Sequence, residues 1–309
     1  MSLGFDSSLT CKIDLLEKRA AALKKARQFF ENAGYIEVDC PSLVKRATID
    51  QHIDPIETEL GFLHTSPEYL MKRLVAAGMN KIYQIGHVFR KGEIGKKHNP
   101  EFTMIEWYHT GFAYEEMIKE TLEFLQDFLG TFEIKILSYQ DLFINFLQID
   151  PLHTNLQGLQ KAAELNEVSI DDNLDFDGWL NLLFSHVIEP NMVRDTYYVI
   201  TDFPPSQAAL SKIVDGKAKR FEIFFQKMEL ANGYFELTDQ DEHIRRFEKE
   251  NFLRQQMGKK TYPLDEKLLA SIEKLPDCSG VSVGFDRLLM LSSNQDNIES
   301  VLPFSFDQL

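Results

Sequence analysis

Several short stretches of this sequence put charged or ring-bearing side chains where plain packing would not. In Glu101–Tyr108 the residues alternate, so Phe102, Met104, Glu106 and Tyr108 share one face of a predicted strand. A carboxylate among such neighbours is costly to bury unless it meets a cation or a set of donors. An internal salt bridge or a water-facing edge would account for Glu106, but the preceding strand weakens that reading. There Gln84, Gly86, Val88 and Arg90 share a face, and Arg90 ends it beside a polar loop. A guanidinium fork matches phosphate oxygens, and the ring of Phe102 could stack on a flat base. Gly280, Ser282 and Gly284 line another strand face that lets a second group approach the backbone, and Arg287 follows in the first turn of a helix. A cation at that end gains nothing from the helix dipole, so an anionic ligand explains it better than a surface role. From Glu229 to Glu236, strict alternation sends the two carboxylates to opposite faces. A bulge at Gly233 would bring both to one side, where they could hold Mg²⁺ or an ammonium group. Thr65-Ser66-Pro67-Glu68 precedes a helical run, Tyr69–Ala77, which Thr65 or Ser66 would cap.

The elements that must position these residues can be read from periodicity. Leu15, Leu16, Ala20, Leu23, Ala26, Phe29 and Phe30 are spaced for a helix up to Asn32, stopped by Gly34. Tyr35–Val38 is a short strand closed by Pro41. Ile82–Arg90 and Glu101–Tyr108 form a hairpin around the charged loop Lys91–Pro100, and Tyr114–Leu129 returns to helix. Leu137–Ser211 is mixed and mostly helical, with loop signals at Asp150-Pro151, Asp171–Asp177 and Pro204-Pro205. Phe221–Leu237 is a strand pair or bent strand, Ile244–Met257 a charged helix, and Gly280–Phe285 a strand running into a helix at Asp286–Leu291. Helix first, antiparallel strands next and a terminal strand–helix unit predict an α+β domain around a mostly antiparallel sheet.

Bulk properties narrow the class. With 309 residues and 44% hydrophobic content, 24 of them Phe, the chain can bury a sizeable core. No basic and apolar leader opens it, and no apolar run approaches the ~20 residues that span a bilayer, so a membrane role is not expected. Cys11, Cys40 and Cys278 are odd in number and form no CxxC, which disfavours a disulfide framework or zinc site and suits a reducing cytoplasm. The net charge of −15 argues against a protein that lives on a nucleic-acid backbone. Two arginines for phosphates, an aromatic for a base, a candidate metal pair and spare carboxylates suit a nucleotide together with a cationic substrate. No Walker or Rossmann glycine motif is present, so the nucleotide would be held another way.

With these motifs in this order, the sequence resembles the catalytic core of a class II aminoacyl-tRNA synthetase of the lysyl branch. Arg19–Asn32 with Gly34–Pro41 matches the first signature. Phe89-Arg90 through His98–Tyr108 matches the second, and Gly280–Arg287 the third. Thr65–Glu68 and Glu229–Glu236 match that branch's amino-acid and metal segments, so the likeness covers nearly the whole chain. Within the branch it is similar to the short paralogues that ligate lysine to elongation factor P, through Thr65–Tyr69, Met71–Leu74 and Pro276–Gly280. The first-signature helix begins so near the start that no anticodon-binding domain is expected, leaving residues 1–309 as a single catalytic domain without tRNA anticodon contact.

The resemblance implies ATP and Mg²⁺ as cofactors, (R)-β-lysine or lysine as substrate, elongation factor P as acceptor and a homodimer formed through the first signature. It puts Arg90 at the α-phosphate and Arg287 at the terminal phosphate as catalytic residues. Phe102 would stack on adenine with Asn99 nearby, Glu229 and Leu230 would lie at ATP, and Gly284 would let the nucleotide close. Glu229 and Glu236 would serve the metal. Ser66, Pro67, Glu68, Tyr108 and Glu236 would surround the amino acid, with Glu106, Asn232 and Ser282 close by. The chain departs from the family pattern twice. The carboxylate after Arg90 comes one residue late, at Glu93, and Ser282 stands where lysyl-tRNA synthetases have Gly and the short ligases, which prefer (R)-β-lysine, have Ala. Two other readings stay open: a core that serves another acceptor, tRNA or a small amine, and a non-catalytic amino-acid sensor. The presence of Arg90, Arg287 and Glu229 speaks against the sensor.

Overall fold

The computed structural model describes residues 12–168 and 174–309. Cys11 and the start of the loop expected over 171–177 lie outside the described residues. The first helix, α1 (Ile13–Asn32), turns only Ala26 and Phe30 fully inward and ends before Gly34, whose φ of +77° favours glycine. Four short strands follow, β1 (Ile36–Glu37), β2 (Leu43–Val44), β3 (Ile56–Thr58) and β4 (Gly61–Leu63), and then α2 (Glu68–Ala76). The predicted hairpin is present as β5 (Lys81–Phe89) and β6 (Glu101–Thr110), followed by α3 (Tyr114–Leu129).

The next stretch holds more strand than its mixed pattern suggested. It runs through β7 (Glu133–Ser138), α4 (Tyr139–Leu147), α5 (Leu156–Leu165), α6 (Phe176–Leu183), a π-helical turn at Phe184–Ile188, α7 (Glu189–Asn191) and β8 (Thr196–Phe203). Seven of the eight residues of β8 are buried, so it has no polar face and shows no alternation. The chain continues with β9 (Ile213–Val214), β10 (Lys217–Phe225), β11 (Met228–Phe235), α8 (Gln240–Gln256), α9 (Glu266–Ile272), β12 (Cys278–Gly284) and α10 (Phe285–Ser292). Phe221–Leu237 is therefore a strand pair. Among the described residues no helix is long and apolar enough to cross a membrane.

The main sheet has the order β1-β5-β6-β12-β11-β10-β8-β7, with β9 beside β10; β2, β4 and β3 form a second, small sheet. The pairs β1–β5 and β7–β8 are parallel and all the others antiparallel. This is the α+β, mostly antiparallel architecture expected. Register lays residues in rows across five strands: Gln84, Glu106, Ser282, Asn232 and Glu222 form one row, and Ile82, Tyr108, Gly280, Tyr234 and Arg220 the next.

The two faces of the sheet are covered differently. On the far face Tyr83, Ile105, Trp107, Phe221, Ile223 and Val283 form one continuous core with Phe30 of α1, Phe124 of α3 and Leu288 of α10. Phe30 stacks on Tyr83 and lies edge-on to Trp107. Among the described residues, apolar packing on the near face gathers at the two ends. Tyr69, Met71 and Val75 of α2, Phe247 of α8 and Leu268 of α9 cover Ile82 and Tyr108 at one end. At the other, Tyr139, Phe143 and Leu180 cover Tyr198, Ile200 and Phe224. Between these caps the middle of the near face is left open, and its rows carry Glu106, Ser282, Asn232 and Glu222.

Candidate active site

A cavity of about 510 Å³ occupies this gap, lined among others by Ser66, Glu68, Arg90, Glu106, Tyr108, Asn232, Glu236 and Ser282. Ser66 and Pro67 lead into α2, where Pro67, not Thr65 or Ser66, takes the cap position. The Ser66 hydroxyl accepts the Glu68 N–H at 2.9 Å and donates to Glu106 Oε2 at 2.6 Å. The Tyr108 hydroxyl donates to the other Glu106 oxygen at 2.7 Å. Glu106 is only 3% exposed, and burial, with Glu68 nearby, pushes its carboxyl up to about 7 in spite of those two donors.

Glu236 follows β11 and is fully buried. Its Oε2 lies 2.7 Å from Nζ of Lys72, which also lies 2.6 Å from Glu68 Oε1. Burial, with Glu68 and Glu106 nearby, raises the Glu236 carboxyl in spite of Lys72, and the two carboxylates keep the Lys72 ammonium charged despite its burial. Glu236 Oε1 and Asn232 Oδ1 are buried without a hydrogen-bond partner among the described residues. Gly280 makes room here: a Cβ on it would stand 2.4 Å from the Tyr108 ring and 2.6 Å from Glu236 Oε1. Ser282 donates to the Asn232 carbonyl at 3.3 Å. These are surplus acceptors in a carboxylate-lined pocket, suited to ammonium groups.

Two arginines, both expected at phosphates, lie farther along the face. Arg90 lies over the Phe102 ring, 5.1 Å from its centroid, with Nη1 3.7 Å from Glu93. Arg287 donates to the Glu229 carbonyl at 3.1 Å, and its Nη2 is 2.7 Å from His98 Nε2, tying the 91–100 loop to β11. Burial and the adjacent guanidinium lower the His98 pKa, so its ring is neutral and accepts that bond. Asp286 holds the frame: it pairs with Arg19 of α1 at 2.5 Å and accepts the Thr103 N–H at 2.6 Å, beside Phe102. A Cβ on Gly284 would meet nothing nearer than Arg287 Cδ at 3.6 Å, so the backbone there is open to a flat group. Two guanidinium groups, the half-buried Phe102 ring and an open glycine suit a nucleotide.

Some expectations need correction. The bulge lies at Leu230, not Gly233: Ile223 pairs with Ala231, but Phe224 pairs with Glu229. Gly233 is glycine because the Phe221 ring lies across it, where a Cβ would come within 2.3 Å. The displaced bulge still turns Glu229 to the face of Asn232, while the Leu230 side chain is buried in the opposite core. Leu230 therefore has only its backbone to offer a nucleotide. Glu229 and Glu236 do not form a metal pair, because Lys72 claims Glu236 in the amino-acid pocket. Glu229 instead shares a neighbouring hollow of about 330 Å³ with Glu189, Glu222 and Arg287. Among the described residues no cluster of three or more His, Cys, Asp or Glu could hold a metal alone. These carboxylates suit a Mg²⁺ shared with phosphate oxygens rather than one caged by protein. Asn99 is braced at both ends, donating to the Glu101 carbonyl at 2.6 Å and accepting the Phe306 N–H at 3.0 Å.

Residues the motifs did not single out also line or support the site. Arg220 and Glu222 alternate on β10 and pair with each other on the open face. Lys72 stands four residues after Glu68, a spacing that on sequence alone reads as an ordinary surface helix pair.

The chain matches the family model for class II tRNA synthetases (D, K and N) over residues 12–308, and it belongs to that family. Its relatives narrow the likeness to a branch that acts on protein. It is 42% identical to the elongation factor P–(R)-beta-lysine ligase of Hamiltonella defensa, over 96% of each chain. Identity is 40% to the ligase of the same name from Haemophilus ducreyi, over 97% of this chain and 96% of that one. It is 41% to that of Yersinia pestis, over 94% of each.

Proposed function

We propose that this protein uses ATP to activate (R)-β-lysine or lysine as its adenylate and transfers it to a lysine ε-amine of elongation factor P. The observation that carries the reading is the pairing, on one open sheet face, of a buried three-carboxylate pocket with a two-arginine phosphate side. Glu68, Glu106 and Glu236 receive the ammonium groups, Asn232 and Ser282 flank them, and Arg90 faces the substrate carboxylate and α-phosphate. A carboxylate oxygen attacks the α-phosphorus in line and the bond to pyrophosphate breaks. Arg90 and Arg287 neutralise the charge that builds there, so positioning and electrostatics do most of the work. Glu229, with Glu222, would hold Mg²⁺ against the phosphates, where it supplies further neutralising charge. In the second step the neutral acceptor amine attacks the mixed-anhydride carbonyl. The C–O bond to AMP breaks, and the nitrogen gives up its proton to phosphate or water.

The net charge of −15 and the names of the relatives support a protein acceptor over tRNA. A homodimer is supported by α1, where only Ala26 and Phe30 are fully buried, and by Ile36, 58% exposed at the adjacent sheet edge. Its compartment is the cytoplasm, where ATP and elongation factor P are found. Intact-mass analysis of elongation factor P incubated with the protein, ATP and (R)-β-lysine tests the transfer. A gain of one lysyl unit at a single lysine is expected; charging of bulk tRNA with the acceptor protein left unmodified would overturn it.

A further inference from the structure

Lys72 has no exposed surface, and its ammonium touches Glu68 and Glu236 at 2.6 and 2.7 Å. Burying an ammonium is costly, and its neighbours on α2, Tyr69, Met71 and Val75, form an apolar core that a Leu or Met would fill more cheaply. Lys72 does not line the cavity; the carboxylates it holds do. It binds one oxygen of Glu236 and leaves Oε1 beside Gly280 on the open face, without a hydrogen-bond partner among the described residues. Burial raises the Glu106 and Glu236 carboxyls, so they hold protons near neutrality before substrate binds; once a cationic substrate draws those protons off, three carboxylates against one ammonium leave two surplus negative charges.

We infer that Lys72 is a positioning residue that sets the amino-acid pocket to two surplus negative charges, the complement of a substrate carrying two ammonium groups. This deepens the diamino-acid reading above and rests on it. An amino acid with one ammonium leaves a carboxylate uncompensated in a buried site. Removing Lys72 leaves three carboxylates together, and repulsion plus burial then hold a proton among them to higher pH. The other titratable groups packed around the cluster are Tyr69, Tyr108, Tyr234, Cys40, Cys278 and His243. Burial raises all five hydroxyl and thiol groups, while burial and Lys72 push His243 down to about 4. All six are neutral near pH 7 and the neighbouring Arg220 is paired with Glu222, so the charge count belongs to the three carboxylates and Lys72.

The test is lysine-dependent ATP–pyrophosphate exchange across the neutral pH range for the wild type, Lys72→Met, Lys72→Arg and the double variant Lys72→Met/Glu68→Gln. Lys72→Met is expected to raise the KM for lysine about thirtyfold or more, to leave the KM for ATP within about twofold, and to move the acid limb of the lysine profile up by about one pH unit. Lys72→Arg keeps the acid limb in place. The double variant restores two surplus charges and brings the acid limb back, and it carries the test if Lys72→Met alone fails to fold. An unmoved lysine KM and pH profile in Lys72→Met would overturn the inference. So would equal losses for ATP and lysine, or a double variant whose acid limb stays displaced. A wild type that shows no exchange with any diamino acid sinks the functional reading itself, and this inference with it.

Discussion

A buried carboxylate with one oxygen on Lys72 and the other unpartnered among the described residues has charge left to give a ligand, and Glu236 is in that position. Truncating one partner of a buried charge pair costs roughly 2–5 kcal/mol. Glu236→Gln should therefore weaken lysine binding about thirtyfold or more while ATP binding stays within about twofold, read by calorimetry with each ligand. Loss of ATP with lysine retained would move Glu236 out of the amino-acid pocket. Glu106 adds a pH dependence. Its carboxyl is raised from 4.5 to about 7, so the native protein binds a proton between those values that the unfolded chain has lost. That contribution, of order 3 kcal/mol, is present below about pH 4.5 and lost as pH rises through about 7. A bound diammonium substrate favours the ionised form, so its affinity should strengthen over the same rise. Melting curves with and without lysine are expected to diverge more at pH 8 than at pH 6. A ligand-induced shift that is flat in pH would contradict the assignment.

The strand rows explain why two glycines seven positions or fewer from Arg287 should behave differently. Gly280→Ala puts a methyl group into Tyr108 and Glu236, so amino-acid KM should rise at least about tenfold with ATP KM little changed. Gly284→Ala meets only Arg287 at 3.6 Å and should fold normally, with its effect falling on ATP. Steady-state kinetics on both variants checks the contrast, and identical profiles would contradict the division of the face. On the far side, Phe30→Ala removes a ring packed against Tyr83, Trp107 and Phe124, at a cost of about 3–5 kcal/mol in denaturant unfolding. These elements were largely legible in advance, because α1, the β5–β6 hairpin, α3 and the β12–α10 junction each carry a period or a breaker. β8 was not, since a strand buried on both faces has no alternation to read. Glycine is the usual marker of a bulge and points to Gly233, whereas the Phe221 ring accounts for that glycine and Leu230 is the extra residue. Lys72 was hidden for a different reason: an i,i+4 pair reads as solvated unless the third partner, 164 positions on at Glu236, is known to be beside it.

At the scale of the whole molecule, the site exists because the far face of the sheet is fully packed while the near face is covered only at its ends. The apolar ends bound the gap, and the cavity between them holds Glu106, Glu236, Arg90 and Arg220, while Arg287 lies in the neighbouring hollow with Glu229. Asp286, joining α1, β6 and the start of α10, ties the frame to the phosphate side. Formation of a lysyl adenylate in this cavity is tested by ATP–pyrophosphate exchange with (R)-β-lysine, α-lysine and the other amino acids at matched concentrations. Exchange stimulated by a lysine and by no monoamino acid is predicted, with the ratio of the two lysines reporting how Ser282 shapes the pocket. Absence of exchange with every amino acid, from a protein that still binds ATP, would contradict the account.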